Sequence, residues 1–574
     1  MSLPKFGPLL CMVALAVSGC APSGPSVRGP SPREGEAAQP RAAKSLTIAL
    51  DTEPSNLSMG MGPAGGSSSG TDVRLAVHQR LATYDHRGQL HPMLASELPQ
   101  QEKGTWLVRP DGTMQTTHRL RPNVTWHDGA ALVAGDFVFA LAIVRDPEVP
   151  INQNSFVTLI DRMYTTDDLT LVTEWKGSYP FANGITEDSL GPIPAHLLEP
   201  TYRTDKELFV TSPYWTRAFV GVGPYQLAEW EPGSHLVLQA YDGFYRGRAK
   251  IDTITVRFFT GNENAVAANL LAGAVDGEIP EALQFEQAMF VRRQWEQAGR
   301  RPLFIVQPEK WRHWFVQFRD ARPPELADVR VRRGLLHAID RETLVDSLLE
   351  GHVPISDSFI PPNDPKYEWV KDVAVHYAYD PRRALQLLGE AGWTARTDGT
   401  IVNAAGSPVT VSAWTQDGRQ NEQEMAIIAD FWKAIGLQVD QYVLPLAQQR
   451  DGRFRASFPS FYAAQIPMTF QNLLARVYGP NCPTEQSRWV GGSLGCYQNA
   501  QNDRPIDGLQ TAIDPVRQRD LFRELISVQT QELPALPLYY NVSVTLFREG
   551  VTGVLGSTVP RTSFTWNVAD WDLE

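Results

Sequence analysis

Trp106-Leu107-Val108-Arg109-Pro110-Asp111-Gly112-Thr113-Met114, running on through His118-Arg119-Leu120-Arg121-Pro122-Asn123-Val124-Thr125-Trp126-His127-Asp128-Gly129 to Gly135-Asp136-Phe137, is the stretch that decides the fold. Trp106–Val108 and residues 113–120 read as two strands joined by the Arg109-Pro110-Asp111-Gly112 turn, a hairpin signal. Arg121-Pro122 ends the second strand, because proline donates no ladder bond and restricts the residue before it. His127-Asp128-Gly129 makes a further turn. Asp136 then opens an apolar helix over residues 137–144, its carboxylate near the positive helix end.

Around this unit, the 574-residue chain has length for two or three domains and a substantial core. Its apolar content of 43% and charged content of 20% describe a globular protein. A net charge of −12 and a pI near 5.5 argue against nucleic acid as a partner, since phosphate demands clustered Lys and Arg. After the N-terminus no apolar run reaches the roughly 18 residues of a spanning helix.

Lys5, a short apolar run over residues 9–17, and Val17-Ser18-Gly19-Cys20 have the shape of a signal peptide, residues 1–19. The ending resembles a bacterial lipobox, in which the cysteine is lipidated and becomes the mature N-terminus. Acyl chains would anchor Cys20 at about 0.8 kcal/mol per buried methylene. Residues 20–44, rich in Pro, Ser, Gly and Ala, read as a disordered tether. Cys11 lies in the leader, so Cys482 and Cys496 remain as a pair, and in an exported protein that favours a disulfide. Such a loop contributes roughly 3 kcal/mol in the chain-entropy model.

Residues 46–50 form an apolar strand ending at Asp51-Thr52-Glu53-Pro54. A loop over residues 60–70 follows, then a helix over 73–81 from the spacing of Val73, Ala76, Val77 and Leu81. Gly66-Ser67-Ser68-Ser69-Gly70 formally matches a G-x-S-x-G nucleophile elbow. The Gly60-Met61-Gly62-Pro63 run before it cannot supply the buried strand an elbow needs, so a hydrolase reading is set aside. Small residues in this loop suit close approach of backbone amides to a ligand. The eleven histidines include no H-E-x-x-H and no tight pair. No catalytic residue, metal or cofactor is assigned.

The opening stretch, in its particular words, resembles the family 5 solute-binding proteins of bacterial ABC importers, the peptide, dipeptide and nickel binders. That family carries a pattern close to Asp-Gly-x-x-x-x-x-x-Leu-Arg-x-x-Val-x-Trp-His-Asp-Gly followed by an Asp-led helix. Further phrases resemble it in order: Ile193-Pro194-Ala195-His196, Gly221-Val222-Gly223-Pro224-Tyr225, Gly273-Ala274-Val275-Asp276, Asp328-Val329-Arg330-Val331-Arg332, and Tyr379-Asp380-Pro381 through Ala391-Gly392-Trp393. The likeness covers about residues 45–550. It implies a mixed α/β, periplasmic-binding-protein-like fold with two lobes, three domains, a hinge and an interlobe ligand cleft. The expected division is 45–89 and 208–302 for domain I of lobe 1, 90–207 for an inserted β-rich domain II, 303–535 for domain III (lobe 2), and 536–574 for the return to lobe 1.

The resemblance also implies the function: an extracytoplasmic, lipid-anchored, monomeric receptor that captures a peptide or related polar solute and delivers it to a membrane permease and its ATPase. A solute sensor, or an oligosaccharide or nickel-chelate binder of the same fold, are the alternatives. Loop position and resemblance together nominate Glu53, Ser67, Ser68, Trp311, Trp314, Trp414, Gln416, Tyr462 and Gln465 as ligand-binding residues. A strand, helix, strand crossover over residues 409–444 directs attention to Trp414 and Gln416, beyond the strand end. At Phe461-Tyr462-Ala463-Ala464-Gln465-Ile466-Pro467, peptide-binding members tend to carry an Asp that pairs with the peptide ammonium. Gln465 is a neutral amide and cannot pair with a buried cation. That points toward a blocked peptide, a sugar conjugate or another polar solute.

Overall fold

Ser45–Leu50 pairs in parallel with Thr253–Phe258 on one side and with Gly277–Glu278 on the other, and from this seed a ten-stranded sheet extends through both lobes. The computed structural model describes residues 42–58, 68–150, 155–185, 190–556 and 563–574, except the side chains of 68–72, 155 and 470–471. Residues 1–41, with Cys20, and 59–67, with Ser67, lie outside the described residues. Ser68 begins a helix, Ser68–Val77, and its side chain is outside them too. No helix among the described residues is long and apolar enough to cross a membrane.

On the lobe 1 side the sheet runs through Thr253–Phe258 and His235–Ala240 to Tyr225–Glu231. On the lobe 2 side it runs through Phe461–Pro467 and Thr410–Gln416 to Gln438–Leu444. Two long antiparallel strands, Leu303–Val316 and Ala535–Phe547, join the halves. The second, Ala535–Phe547, carries the start of the expected return over 536–574, and the two strands form the hinge. A separate four-stranded antiparallel sheet contains the Trp106–Val108 and Met114–Arg119 hairpin with Ile160–Asp167 and Thr170–Trp175.

Period-two alternation assigns each hinge-strand side chain to one face of the sheet. Trp314 and Val316, with Phe461 and Ala463 alongside, enter the core built with Met425, Ile428 and Trp432 of the helix Arg419–Ala434. Phe315 and Tyr462 enter a different cluster with Leu444, Phe458 and Leu494. Trp311 joins a third, with Phe359 and Ile466.

The opening signature works as a clamp. Asp136 is buried in the helix Gly135–Arg145, and its carboxylate accepts from the Val133 and Ala195 amides (3.1 and 3.0 Å) and from Trp126 Nε1 (3.2 Å). Burial pushes its pKa up against those hydrogen bonds. His127 Nδ1 accepts from Gly221 N (3.1 Å), which leaves Nε2 to donate to Gly223 O (3.1 Å). Gly223 N in turn donates to Val77 O at 2.9 Å. A Cβ on Gly223 would come within 2.4 Å of the Val77 carbonyl carbon, so only glycine admits this contact. Here the expected helix over 73–81 is corrected. It starts earlier and stops at Val77, whose carbonyl is taken by Gly223 instead of by a further turn.

The hinge holds a charged pair with almost no access to water. Arg312 Nε lies 2.6 Å from Glu424 Oε2, with side-chain exposures of 3% and 0%. Trp314 Nε1 (2.7 Å) and Tyr539 OH (2.7 Å) also donate to Glu424, and Arg312 Nη2 donates to Asn421 Oδ1 (2.8 Å). Burial opposes the guanidinium charge, while Glu424 and Tyr539 hold it.

Two outcomes follow from this packing. Glu424→Gln should lower the free energy of unfolding by about 3–5 kcal/mol in urea titration, because Arg312 is left buried without its counter-charge. The double replacement Arg312→Met/Glu424→Leu should recover most of that loss. Burial lowers the pKa of His78 to about 3 and of His118 and His127 to about 4. The three therefore fold neutral, and their contribution is fully present above the unfolded value near 6.5. It is lost as pH falls toward 4, by about 2 kcal/mol per histidine at pH 5. Urea midpoints measured at pH 7.5, 6 and 5 should fall in that order.

Candidate functional site

A cavity of about 490 Å³ opens where the hinge strands leave lobe 1, and both lobes line it. Lobe 1 contributes Asp51, just past its first strand, Glu263 at the start of the helix Glu263–Ala272, and Glu281 with Leu283 through Gln287 around the start of Phe285–Gln297. Lobe 2 contributes Gly418 through Asn421, at the start of Arg419–Ala434, and Gln465. The hinge strands supply Glu309, Lys310 and Asn541 through Ser543. Pairing along the hinge shifts register between Pro308 and Lys310, and Glu309 is the extra residue of this bulge. Bulges re-aim side chains, and proline, with no N–H to give, sits comfortably beside one.

The cavity wall is acidic. Asp51, Glu263, Glu281, Glu286 and Glu309 face two cations, Lys310 and Arg419. Lys310 Nζ lies 2.6 Å from Glu281 and 4.0 Å from Glu309. Arg419 of lobe 2 reaches Glu286 of lobe 1 at 2.9 Å, an ion pair that spans the opening. Burial raises the Glu309 pKa, and burial together with the charge of Asp51 raises that of Glu263. Glu309 Oε2 and Gln287 Oε1 are shielded from water without a hydrogen-bond donor among the described residues. Asn541 Nδ2 donates to Gln465 Oε1 (2.8 Å), and Gln420 Nε2 donates to Asn541 Oδ1 (3.0 Å) and Tyr539 OH (3.2 Å). A chain of amides thus connects the wall to the Arg312–Glu424 pair.

The nominated residues divide. Gln465 lines this cavity and is exposed in it. Tyr462 and Gln416 lie on the opposite face of the lobe 2 sheet, joined by a Gln416 Nε2 to Tyr462 OH hydrogen bond of 2.9 Å. Trp414 packs there too, stacked on Phe454 and tilted against Tyr442. Three nominations are corrected. Trp311 and Trp314 are core residues, buried with their indole N–H groups spent on Ser356 Oγ (3.1 Å) and on Glu424. Glu53 is committed to lobe 1, accepting from Trp230 Nε1 (2.7 Å) and Gly233 N (2.9 Å). It borders a larger cavity of about 1020 Å³ whose described lining runs from Glu53 to Pro232. The smaller cavity is the candidate site because both lobes build it. Sequence reading missed its acids, which come from four separated segments; the Pro308-Glu309 bulge was the one local signal. Cys482 and Cys496 are disulfide-bonded.

The pattern of the bacterial extracellular solute-binding proteins, family 5 Middle, matches residues 89–479. The oligopeptide-binding protein AppA of Bacillus subtilis is 24% identical over 338 residues, 58% of this chain and 59% of its own length. Protein XP55 of Streptomyces lividans is 28% identical over 406 residues, 69% of this chain and 66% of its own length. The chain spans about half to two thirds of the length of the curated relatives it matches. Among solved structures, Bacillus subtilis AppA in complex with a nonapeptide superposes with a TM-score of 0.66 at 19% identity, covering 93% of this chain and 100% of its own. NikA from Brucella suis in complex with Fe(III)-EDTA superposes with a TM-score of 0.73 at 18% identity, covering 92% and 100%. These structures share the mixed α/β, periplasmic-binding-protein fold, and the match across residues 89–479 makes the chain a member of the bacterial extracellular solute-binding proteins, family 5.

Proposed function

We propose that this protein is the solute-capturing component of an ABC importer, binding a peptide or related polar solute between its lobes and presenting it to a membrane permease and its ATPase. The observation that carries the reading is the polar cavity at the hinge, to which both lobes contribute. Closure about the two hinge strands would tighten that cavity around its occupant. AppA, by its name, binds oligopeptides, which supports a peptide. The cavity wall bears on the same question. Gln465 offers no charge, but Asp51, Glu263, Glu281 and Glu309 surround the space it lines, so neighbouring carboxylates supply the field an ammonium group needs. A free peptide is therefore favoured over a blocked one, contrary to what Gln465 alone implies.

The location belongs to the same proposal: a monomer outside the cytoplasm, held to the membrane by lipid on Cys20, with lobes divided at the boundaries expected above. Cys20→Ala should abolish labelling by radioactive palmitate and move the protein from the membrane pellet to the soluble fraction.

Thermal unfolding of the full chain against di- to pentapeptides, oligosaccharides and nickel chelates tests the solute. A peptide at 100 times its dissociation constant should stabilise the protein by about 2.7 kcal/mol. A shift confined to sugars or chelates would refute the peptide assignment, and no shift with any of them would refute solute capture within these classes. Glu281→Gln and Glu309→Gln should each weaken a peptide with a free amino terminus by about tenfold and leave its acetylated form unchanged.

A further inference from the structure

A third cavity, of about 570 Å³, lies in lobe 1 away from the hinge. Ser45 pairs with Thr253 and Thr253 with Gln239, so the corner that follows Ala240 sits beside the start of the first strand. Asp51, in the hinge cavity, lies just past the end of that strand, whose six residues span about 20 Å. Arg121, Tyr245, Arg246 and Trp566 line the third cavity, with Asp85 and His91 of the hairpin that pairs Ala82–Tyr84 with Leu90–Pro92. The Tyr245 hydroxyl and Trp566 Nε1 are shielded from water and have no hydrogen-bond acceptor among the described residues. A buried donor left unpaired is costly, and two of them around one cavity favour an acceptor that enters it.

Two guanidiniums flank Tyr245. Arg121 Cζ lies 5.5 Å from the centre of its ring, and burial pushes the hydroxyl up to about 12 against the charges of Arg246 and Arg121. The hydroxyl therefore keeps its hydrogen at physiological pH. Arg121 Nε and Nη2 donate to the Met93 and Pro92 carbonyls (2.6 and 3.5 Å), and no carboxylate among the described residues pairs with it. Arg246 reaches Asp570 at 3.5 Å, with both side chains about half exposed. Asp85, the carboxylate among the described lining residues, is occupied by the Arg87 and Gln89 amides (2.8 and 2.9 Å) and by His91 Nε2 (2.8 Å). The wall thus offers two cations and two neutral donors to an anion. The segment carrying Trp566 and Asp570 also holds the entry of the chain. Ala569 O accepts from Lys250 N, and Asp572 and Leu573 O accept from Lys44 Nζ. Lys44 directly precedes the first strand, and Cys20, the proposed lipid anchor, precedes Lys44 by 24 residues. Trp and Tyr, with an apolar ring and a polar tip, suit a membrane surface.

We propose that this cavity binds a phosphate group, with Arg121 and Arg246 balancing its charge and Tyr245 and Trp566 donating to its oxygens. A phospholipid headgroup and a free phosphate ester share that chemistry, and the site acts apart from the solute held at the hinge. Calorimetry on the full chain compares glycerol 3-phosphate with glycerol. The phosphate should bind at least about tenfold more tightly, and Tyr245→Phe and Arg246→Gln should each weaken it by about tenfold. Asp570→Asn releases Arg246 from the carboxylate beside it and should tighten binding by about threefold, a gain that misfolding does not produce. Flotation separates the sources, using the full chain with Cys20→Ala and vesicles of phosphatidylglycerol or of phosphatidylcholine. The net charge of −12 gives no general attraction to anionic lipid. Flotation with phosphatidylglycerol that is lost in Tyr245→Phe and Arg246→Gln identifies a headgroup. A calorimetric preference for phosphate that is lost in those variants, without flotation, identifies a free ester. If neither measurement responds to the two substitutions, the site is overturned, and solute capture at the hinge stands.

Discussion

Arg312 and Glu424 bring opposite charges together where the two lobes share a sheet, and both are almost fully removed from water. Charges in that position are tolerable only when each lone pair and each N–H finds a partner. Trp314, Tyr539 and Asn421 supply those partners, and each comes from a different element, the two hinge strands and the helix Arg419–Ala434. The pair therefore fixes how the helix Arg419–Ala434 sits on the hinge strands. With it is fixed where the start of that helix, carrying Arg419, Gln420 and Asn421, faces the cavity.

The clamp in lobe 1 works by shape more than by charge. His127 is held neutral by burial and reads Gly221 and Gly223 through both ring nitrogens. The glycines let the chain lie directly on the Val77 carbonyl. Two sequence phrases almost a hundred residues apart are thus two halves of one contact. Either half alone, the Trp-His-Asp-Gly turn or the Gly-x-Gly-Pro-Tyr strand, would leave buried backbone groups unpaired.

Much of the architecture was legible because such contacts require particular residue types. The Arg109-Pro110-Asp111-Gly112 hairpin and the helix opened by Asp136 both correspond to observed elements. The site was much less legible. Alternation assigns Trp311 and Trp314 to opposite faces of a strand but cannot say what covers each face, and here helices cover both. Glu53 has the position of a ligand contact, yet its two oxygens are used by the neighbouring hairpin. The acids of the cavity share no local pattern. They become a wall only when the hinge, a helix start and a bulge bring them together, which periodicity cannot report.

That wall also explains how a neutral Gln465 fits a charged environment. Its carbonyl oxygen is occupied by Asn541, and Asn541 is held by Gln420, which reaches Tyr539 and through it Glu424. An aspartate at position 465 would add a further negative charge beside Glu281 and Glu309 and would keep the Asn541 contact. A glutamine keeps that contact without the repulsion. It leaves its amide N–H groups facing the cavity, where an incoming solute can offer them a carbonyl. Amide and acid then divide the work. The carboxylates attract charge over several ångströms, while the amide rewards only a partner placed within hydrogen-bond distance. A solute that displaced Asn541 without replacing its hydrogen bond would loosen a chain ending at the buried ion pair. Under the proposed function, selectivity at this wall would be tied to the stability of the hinge.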